Sequence, residues 1–229
     1  MGFRLVLGNK NYSSWSMRAW LLLRFVDVPF EEITISLYVP GSRAKVIELG
    51  GQTGLVPVLE ADGFPIWDTL AITEYLYEQH RAIWPAELFA RARARSYAGE
   101  VHSSLNALRN AMPVNTRGRQ RTAVRTEAVE QNIARVVEIW ATSSSYRDGP
   151  WLFGAFCAAD IMFAPMASPF LTYDVSVTGQ AAKYMNQLLS HPLVTDWFEL
   201  GRREPAVIDQ FELPKGTPNH IFGWLDGPP

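Results

Sequence analysis

A serine-rich segment early in the chain is the first with groups that could do chemistry. It reads Ser13-Ser14-Trp15-Ser16 and lies between a predicted strand and a predicted helix. In an open α/β sheet, ligands bind beyond the carboxyl ends of the strands. A hydroxyl there also lies at a helix N-terminus, where the positive end of the helix dipole favours a bound anion. Because serine is a preferred helix cap, the spacing leaves a purely structural role open beside the anion-binding role.

The second feature is Leu55-Val56-Pro57, where a proline begins a strand that follows a loop. Proline at the start of a strand often only marks the edge of a sheet or a turn and has no further role. The functional interpretation is a cis peptide bond that leaves the N–H and C=O of Val56 facing a ligand. Those groups would pair with an extended peptide as one more strand. The sequence leaves both interpretations open.

The third feature is the pair Asp68-Thr69 at the start of a predicted helix. The structural interpretation is an N-cap, because such side chains accept hydrogen bonds from the first N–H groups of a helix. In the alternative, the helix N–H groups and the Thr69 hydroxyl bind a carboxylate, while the Asp68 carboxylate binds an ammonium. The head group of one amino acid carries both of these charges.

These features lie at the junctions of elements in the order β-α-β-α-β-β-α. The first strand has an apolar centre at 5–7, typical of a strand covered on both faces, and residues 32–38 alternate apolar and polar side chains. A βαβ unit followed by a hairpin and a closing helix describes an α/β thioredoxin-like N-terminal domain. The predicted bounds are strands at 4–8 and 32–38, a hairpin at 56–59 and 65–67, and helices at 16–26, 42–49 and from 68 or 69 to 80.

From residue 90 onward no strand alternation occurs, which predicts an all-α C-terminal domain. Apolar residues between Val129 and Trp140 recur at i, i+4, i+7, i+8 and i+11, the periodicity of an amphipathic helix. We therefore predict one domain at 1–81 and another at 89–229, with a linker that contains Trp84-Pro85. The predicted helices of the second domain span 90–110, 122–143, 158–171, 181–189 and 193–202.

Composition narrows the function classes. The 229 residues include 21 Lys and Arg against 23 Asp and Glu, and the net charge of −2 argues against a broad surface for nucleic acid. One cysteine, Cys157, excludes an intramolecular disulfide, and four scattered histidines predict no metal site. No apolar stretch approaches the ~20 residues of a membrane span, and the first residues lack a signal-peptide pattern, so we expect a cytoplasmic protein without a membrane partner.

In their order and spacing, these motifs resemble the glutathione transferase family over nearly the whole chain. The segment from Asn9 to Arg18 is similar to the first loop of a serine-type bacterial branch that is closest to the zeta-like class. Residues 53–59 resemble the family's loop before its cis-proline, and residues 156–160 resemble the helix cap of its second domain. The resemblance implies the glutathione transferase architecture, glutathione as a co-substrate and a homodimer.

The resemblance also implies how glutathione would be bound. The γ-glutamyl head would bind Asp68 and Thr69 at the start of the helix. The backbone of the cysteinyl residue would pair with Val56 beside Pro57, and Trp15 would belong to the same binding site. These roles come from the family, whose pattern matches these positions of the chain.

The thiol of glutathione would then face either Ser13 or Ser14. Alignment on the zeta-like pattern favours Ser13, whereas counting back from Arg18 on shorter serine-type loops favours Ser14. A free thiol has a pKa of ~8.5, and a hydroxyl that donates a hydrogen bond to the sulfur lowers that pKa by stabilising the thiolate. The serine is therefore expected to be a donor and not a nucleophile. The thiolate would attack a small hydrophobic electrophile, as in detoxification.

The helical domain would supply the wall of the site for this second substrate. Each candidate residue is chosen only for its position along the chain. Each could equally well belong to a polar helix face that contacts solvent. Side chains of such a pocket vary freely on a fixed frame, so the electrophile stays open. The candidates are Asn106, Arg109, Asn110, Pro113, Asn115 and Tyr173.

Other functions stay open beside transfer. Zeta-like enzymes isomerise maleylacetoacetate from cis to trans with glutathione that is not consumed. Two departures weaken that reading, because Trp15 stands where the class has cysteine and residues 161–182 lack the class's substrate-binding arginine. Arg109 as its substitute is a conjecture. Mixed-disulfide chemistry is excluded because the first loop has no cysteine, and a non-catalytic binding module of the same fold remains an alternative.

Overall fold

The computed structural model describes residues 2–145 and 149–212. The strands are β1 (Phe3–Gly8), β2 (Phe30–Ile35), β3 (Val58–Ala61) and β4 (Phe64–Trp67). The helices are α1 (Ser14–Phe25), α2 (Ser42–Glu48), α3 (Thr69–Gln79), α4 (Leu88–Ser103), α5 (Asn106–Ala111), α6 (Glu127–Ala141), α7 (Ala158–Thr172), α8 (Gly179–Ser190) and α9 (Pro192–Arg203). Short 3-10 turns lie at Arg81–Ile83 and Asp209–Phe211. Part of the predicted second domain, residues 213–229, lies outside the described residues.

The four strands form one mixed sheet in the order β2-β1-β3-β4. Strand β1 runs parallel to β2 and antiparallel to β3, and β4 runs antiparallel to β3. The side chains of β1 at 5–7 are fully buried, as the apolar run predicts. The α/β half is followed by a helical half, which confirms the predicted fold class.

Helices α1 and α7 join the two halves of the molecule. Helix α1 buries almost its whole surface, because apolar side chains lie all around it. It packs on β1 and α3 in its own half and on α7 and α9 in the helical half. Within the contact with α7, the Arg18 Nε donates a hydrogen bond to the Met162 carbonyl at 2.9 Å. Among the described residues, no helix is long and apolar enough to cross a membrane.

The single helix predicted at 90–110 is wrong, because the segment forms α4 and α5 with a break at Ser104 and Leu105. Leu105 has a φ of 63°, a left-handed conformation that ends a right-handed helix, and its side chain is buried in the main core. The break turns Arg109 back onto α4, where its guanidinium donates to the carbonyls of His102 (3.2 Å) and Val101. This turn places an arginine of α5 beside the last turn of α4.

Among the other differences from the predicted bounds, the two largest are the end of β2 and the start of α6. Strand β2 ends at Ile35 and not at residue 38, because the Asn9 side chain accepts the Leu37 N–H (2.8 Å) and Tyr38 adopts a φ of 60°. Helix α6 begins after Thr126 and not at 122, because the Thr126 hydroxyl caps it by accepting the Val129 N–H. In both cases a side-chain contact with the backbone decides where the element ends.

A fully buried aspartate, Asp160, fixes the start of α7. Its carboxylate accepts hydrogen bonds from the backbone N–H of Cys157 (2.9 Å) and of Leu152 (3.2 Å). It also accepts the hydroxyl of Tyr184 at 2.7 Å, so helix α8 is attached to the same cap. Desolvation raises the pKa of Asp160 to about 6.

A buried polar network ties the loop after β1 to the helical half. The Asn11 side-chain amide donates to Asn115 Oδ1 (3.2 Å), and Asn11 Oδ1 accepts a hydrogen bond from the hydroxyl of Thr116 (2.6 Å). The Glu204 carboxylate accepts the backbone N–H of Asn11 and the amide of Asn9, both at 2.9 Å. These bonds hold the backbone that leads from β1 into α1.

Candidate active site

The three features singled out in the sequence converge at one end of the sheet. Val6 in β1 pairs with Val58 in β3, and Val58 pairs with Trp67 in β4. Because both pairings are antiparallel, the end of β1, the start of β3 and the end of β4 lie side by side. The loop after β1, the loop before β3 and the residues that open α3 therefore meet at the same edge.

Ser13 caps helix α1. Its hydroxyl oxygen accepts the N–H of Ser16 at 3.2 Å and its proton is donated to the Ser16 hydroxyl at 2.8 Å. The Ser16 hydroxyl in turn accepts the N–H of Gly8 at the end of β1 (2.9 Å). With its side chain buried and bonded in this chain of contacts, Ser13 fits the structural interpretation of the serine segment.

Ser14 is the first residue of α1 and is half-buried. Its hydroxyl makes no hydrogen bond to any residue that the structure describes. The hydroxyl thus lies at the positive end of the α1 dipole without a partner inside the described chain. Of the two serines that the sequence left open, Ser14 is the one whose hydroxyl remains available for a ligand.

Trp15 stands between two arginines that come from different helices. The guanidinium carbons of Arg18 (α1) and Arg109 (α5) each lie 4.8 Å from the centre of its ring. The ring of His102, in the last turn of α4, meets Trp15 edge-on with 5.1 Å between ring centres. Trp15, which the sequence assigned to the binding site, is therefore held by residues of both halves.

The two arginines give this end of α1 a positive charge. Arg18 is fully buried, and Arg18 Nη2 and Arg109 Nε are buried without a hydrogen-bond partner. Within residues 2–145 and 149–212, no carboxylate forms an ion pair with either of them. Burial and the neighbouring charge of Arg109 lower the pKa of Arg18, and burial lowers the pKa of Arg109 to about 10. Both guanidinium groups stay charged at neutral pH and favour a bound anion.

The Val56–Pro57 peptide bond is cis, which agrees with the functional interpretation of that segment. Val56 precedes β3, whose ladder with β1 begins at Val58. Neither the N–H nor the C=O of Val56 forms a hydrogen bond in the described part of the chain. Both groups are thus available to an extended ligand at the edge where the three loops meet.

Asp68 and Thr69 open α3, and both of the predicted roles fit their surroundings. Asp68 Oδ1 caps the helix by accepting the N–H of Leu70 (2.8 Å) and of Ala71 (3.4 Å). Asp68 Oδ2 lies 2.7 Å from His102 Nε2. The Thr69 hydroxyl is buried and has no hydrogen-bond partner among the described residues. One carboxylate oxygen and one hydroxyl therefore lie where an amino-acid head group could bind.

Comparison with known proteins identifies the N-terminal part of the chain. The model of the glutathione S-transferase N-terminal domain matches residues 12–79, which include all three features of the site. Residues 12–79 therefore match a glutathione S-transferase N-terminal domain. It is 34% identical over 99 residues to a probable maleylacetoacetate isomerase of Caenorhabditis elegans and 32% identical over 102 residues to a maleylacetoacetate isomerase of Dictyostelium discoideum. These matches cover 42% and 43% of this chain, and the chain spans slightly under half of each relative, 45% and 47%.

Solved structures of glutathione transferases share the fold of this chain. A Burkholderia homolog with bound glutathione is 23% identical, has a TM-score of 0.67, and aligns over 88% of this chain and 98% of its own. A theta class enzyme from Xanthomonas axonopodis pv. citri, also with glutathione bound, is 18% identical with a TM-score of 0.65 over 86% and 96% of the two chains. At these identities the likeness concerns the architecture alone.

The structure separates the candidates for a second-substrate wall. Arg109 contacts Trp15, and Asn106 and Asn110 lie on the same short helix, α5. Asn115 is fully buried. Its side-chain oxygen accepts the Asn11 amide and its own amide donates to the Phe211 carbonyl (3.2 Å), so a solvated polar face does not describe it. Its side chain has no solvent-exposed surface in this structure, and its place beside a substrate stays a prediction.

The two remaining candidates, Pro113 and Tyr173, contact each other. The buried Tyr173 hydroxyl donates to the Pro113 carbonyl at 3.3 Å, and burial raises the pKa of Tyr173. This pair braces the chain after α5 against the end of α7. Their place beside a substrate stays a prediction.

His102 and Arg18 are site residues that the sequence reasoning did not assign. His102 lies 34 positions from Asp68, and no periodicity links a residue in the last turn of α4 to the cap of α3. In the sequence, Arg18 was used only as a reference point for choosing between Ser13 and Ser14. A charged residue among the apolar positions of α1 is nevertheless a signal that could have identified it as a site residue. As for metals, the described residues contain no group of three or more His, Cys, Asp or Glu arranged to hold an ion.

Proposed function

We propose that this chain is a glutathione transferase in which the Ser14 hydroxyl holds the glutathione sulfur as a thiolate. The observation that carries the proposal is the unpartnered hydroxyl of Ser14 in the first turn of α1, with two unneutralised arginines nearby. A hydrogen bond from Ser14 and the positive end of the helix each stabilise the anion and lower the thiol pKa. Ser13 cannot donate to sulfur without giving up its bond to Ser16.

The groups left open at the sheet edge support glutathione as the ligand. The ammonium of its γ-glutamyl head would bind Asp68, and the carboxylate would bind the Thr69 hydroxyl and the first N–H groups of α3. The cysteinyl backbone would pair with the free peptide groups of Val56 beside Pro57, next to Trp15. Two structural neighbours hold glutathione, which agrees with this assignment.

The other parts of the chain take supporting roles in this proposal. Residues 1–81 form the glutathione-binding domain, and residues 89–229 supply the wall against which a small hydrophobic electrophile lies. Arg109 is the wall residue that the contacts favour, because its guanidinium lies over the Trp15 ring. Asn106 and Asn110 are kept as candidates because they lie on the same short helix, α5. A homodimer is the expected assembly, as the family resemblance implies.

The test begins with the purified protein on immobilised glutathione, followed by turnover of a generic aromatic electrophile. Retention and thioether formation together are the expected result. Retention without turnover would favour the alternative of a non-catalytic binding module. Failure to bind glutathione at millimolar concentration would overturn the proposal.

Replacing Thr69 by valine separates ligand binding from folding. Valine has nearly the same shape, and the Thr69 hydroxyl forms no hydrogen bond that folding would lose. We expect an unchanged or slightly higher urea midpoint and a glutathione Kd about tenfold to 100-fold higher, since a hydrogen bond to a charged group contributes about 1.5–3 kcal/mol. Isothermal calorimetry measures the Kd. The control is Thr73→Val, which removes a hydrogen bond to the Thr69 carbonyl and is expected to lower the urea midpoint. An unchanged Kd would remove Thr69 from the site.

A second candidate function is the cis-trans isomerisation of an unsaturated carboxylic acid of the maleylacetoacetate type. The names of the two curated relatives favour it, and Arg18 and Arg109 would offer charge to a substrate carboxylate. Isomerisation regenerates glutathione, whereas transfer consumes it. Incubation with maleylacetoacetate and a measured amount of glutathione therefore distinguishes the two. Conversion of many equivalents of substrate with constant glutathione would make isomerisation the main activity.

A further inference from the structure

The carboxylate of Asp68 is shared between the cap of α3 and a residue of the helical half. Oδ1 is occupied by the N–H groups of Leu70 and Ala71, so Oδ2 is the oxygen that can face a ligand. His102 Nε2 lies 2.7 Å from this same Oδ2. A carboxylate only accepts hydrogen bonds, so Nε2 carries the proton and His102 is the donor.

His102 is itself fixed by two further contacts. Its ring meets the edge of Trp15 with an interplanar angle of 76°, and its carbonyl accepts the guanidinium of Arg109 at 3.2 Å. Asp68 has a positive φ of 76°, a backbone conformation that residues other than glycine rarely adopt. His102 therefore connects the cap of α3, the first turn of α1 and the turn into α5.

We propose that His102 is a positioning residue for the amino end of glutathione, an inference that rests on the proposed function. The Nε2–H holds Asp68 Oδ2 in one orientation, and the ammonium of the γ-glutamyl head binds that oriented oxygen from the open side. The same ring packs edge-on against Trp15 and holds it in place beside the site. Without His102, the Asp68 carboxylate is free to change its orientation. Glutathione must then order this carboxylate when it binds, and the entropy lost in doing so reduces the affinity.

The first experiment compares His102→Ala, His102→Leu and His102→Gln in calorimetry and steady-state kinetics. We expect alanine and leucine to raise the glutathione Kd and KM about tenfold, and to change kcat at saturating glutathione less than threefold. Glutamine carries an N–H donor at similar reach, so it should restore most of the affinity. Ser103→Ala, whose hydroxyl bonds only to the Gly99 carbonyl of its own helix, is the matched control and should behave as wild type. Thermal unfolding of each variant checks that folding is retained.

The second experiment uses a glutathione analogue whose γ-glutamyl residue is replaced by glutaryl and which therefore lacks the ammonium. Wild type should bind this analogue about tenfold more weakly than glutathione, and His102→Ala should bind the two with nearly equal affinity. A tenfold loss in both proteins, or an unchanged Kd in His102→Ala, would overturn the role of His102. These outcomes differ from failure of the proposed function, in which wild type itself would not bind glutathione.

Discussion

Replacing Ser14 by alanine is expected to lower kcat/KM for an aromatic electrophile by about 100-fold while leaving the fold intact. The hydroxyl forms no hydrogen bond within the described chain, so folding loses nothing that the structure contains. The thiolate loses its donor, and removing one preorganised donor to a catalytic anion costs on the order of 10²–10³ in rate. Steady-state kinetics at saturating glutathione and a urea unfolding curve measure the two effects on the same preparation.

Ser13→Ala is the matched control for that result. Ser13 caps α1 through the Ser16 N–H, and losing such a cap costs about 1 kcal/mol of unfolding free energy. We expect a lower urea midpoint and a rate within about fivefold of wild type, the reverse of the pattern for Ser14. A large loss of rate in Ser13→Ala with an unaffected Ser14→Ala would move the donor to Ser13.

The largest effect on stability is expected from Asp160→Asn. The carboxylate accepts the N–H groups of Cys157 and Leu152 and the hydroxyl of Tyr184, and the side chain is fully buried. An amide of the same shape turns an NH₂ group toward these donors, so at least one of them loses its acceptor. We expect a loss of about 2–4 kcal/mol in unfolding free energy at neutral pH, measured by urea denaturation.

Asp174→Asn, a change of the same type at an exposed position, should alter the unfolding free energy by less than about 0.5 kcal/mol. If Asp160→Asn unfolded at the wild-type urea concentration, the proposed anchoring of α7 and α8 by Asp160 would be wrong.

The unfolding free energy should also depend on pH through Asp160. Its pKa is raised by desolvation from 3.8 to about 6, so the folded protein binds a proton that the unfolded chain releases between these values. The stabilisation from this proton is complete below pH 3.8 and is lost as the pH rises through 6. The deficit of Asp160→Asn against wild type should therefore increase between pH 7 and pH 4.5. A deficit that is constant with pH would contradict the raised pKa.

The sequence predicted the fold well where one physical signal dominated. The apolar centre of β1 and the periodicity of α6 are local patterns, and both elements formed where hydrophobic spacing required them. The break at Leu105 could not be predicted, because a buried leucine in a left-handed conformation depends on its tertiary contacts and not on helix propensity. The early end of β2 has the same kind of cause, since Asn9 captures the Leu37 N–H from another element.

For the site, the sequence identified candidate functional groups but did not show which of them are available to a ligand. Both serines have the residue type of a donor, and only the bond from Ser13 to Ser16 distinguishes them. Asn115 looked like a polar wall residue, yet its partner Asn11 lies 104 positions away and makes it part of the core. His102 escaped notice because its contact with Asp68 arises from packing between the two halves.

The most direct test of the central idea is an ultraviolet titration of glutathione bound to the protein, which follows the absorbance of the thiolate as pH is raised. We predict that the bound thiol of wild type ionises at least one pH unit below the ~8.5 of a free thiol, a stabilisation of about 1.4 kcal/mol or more. In Ser14→Ala it should ionise close to the free value. A bound thiol that ionises at the free value in wild type would contradict the account.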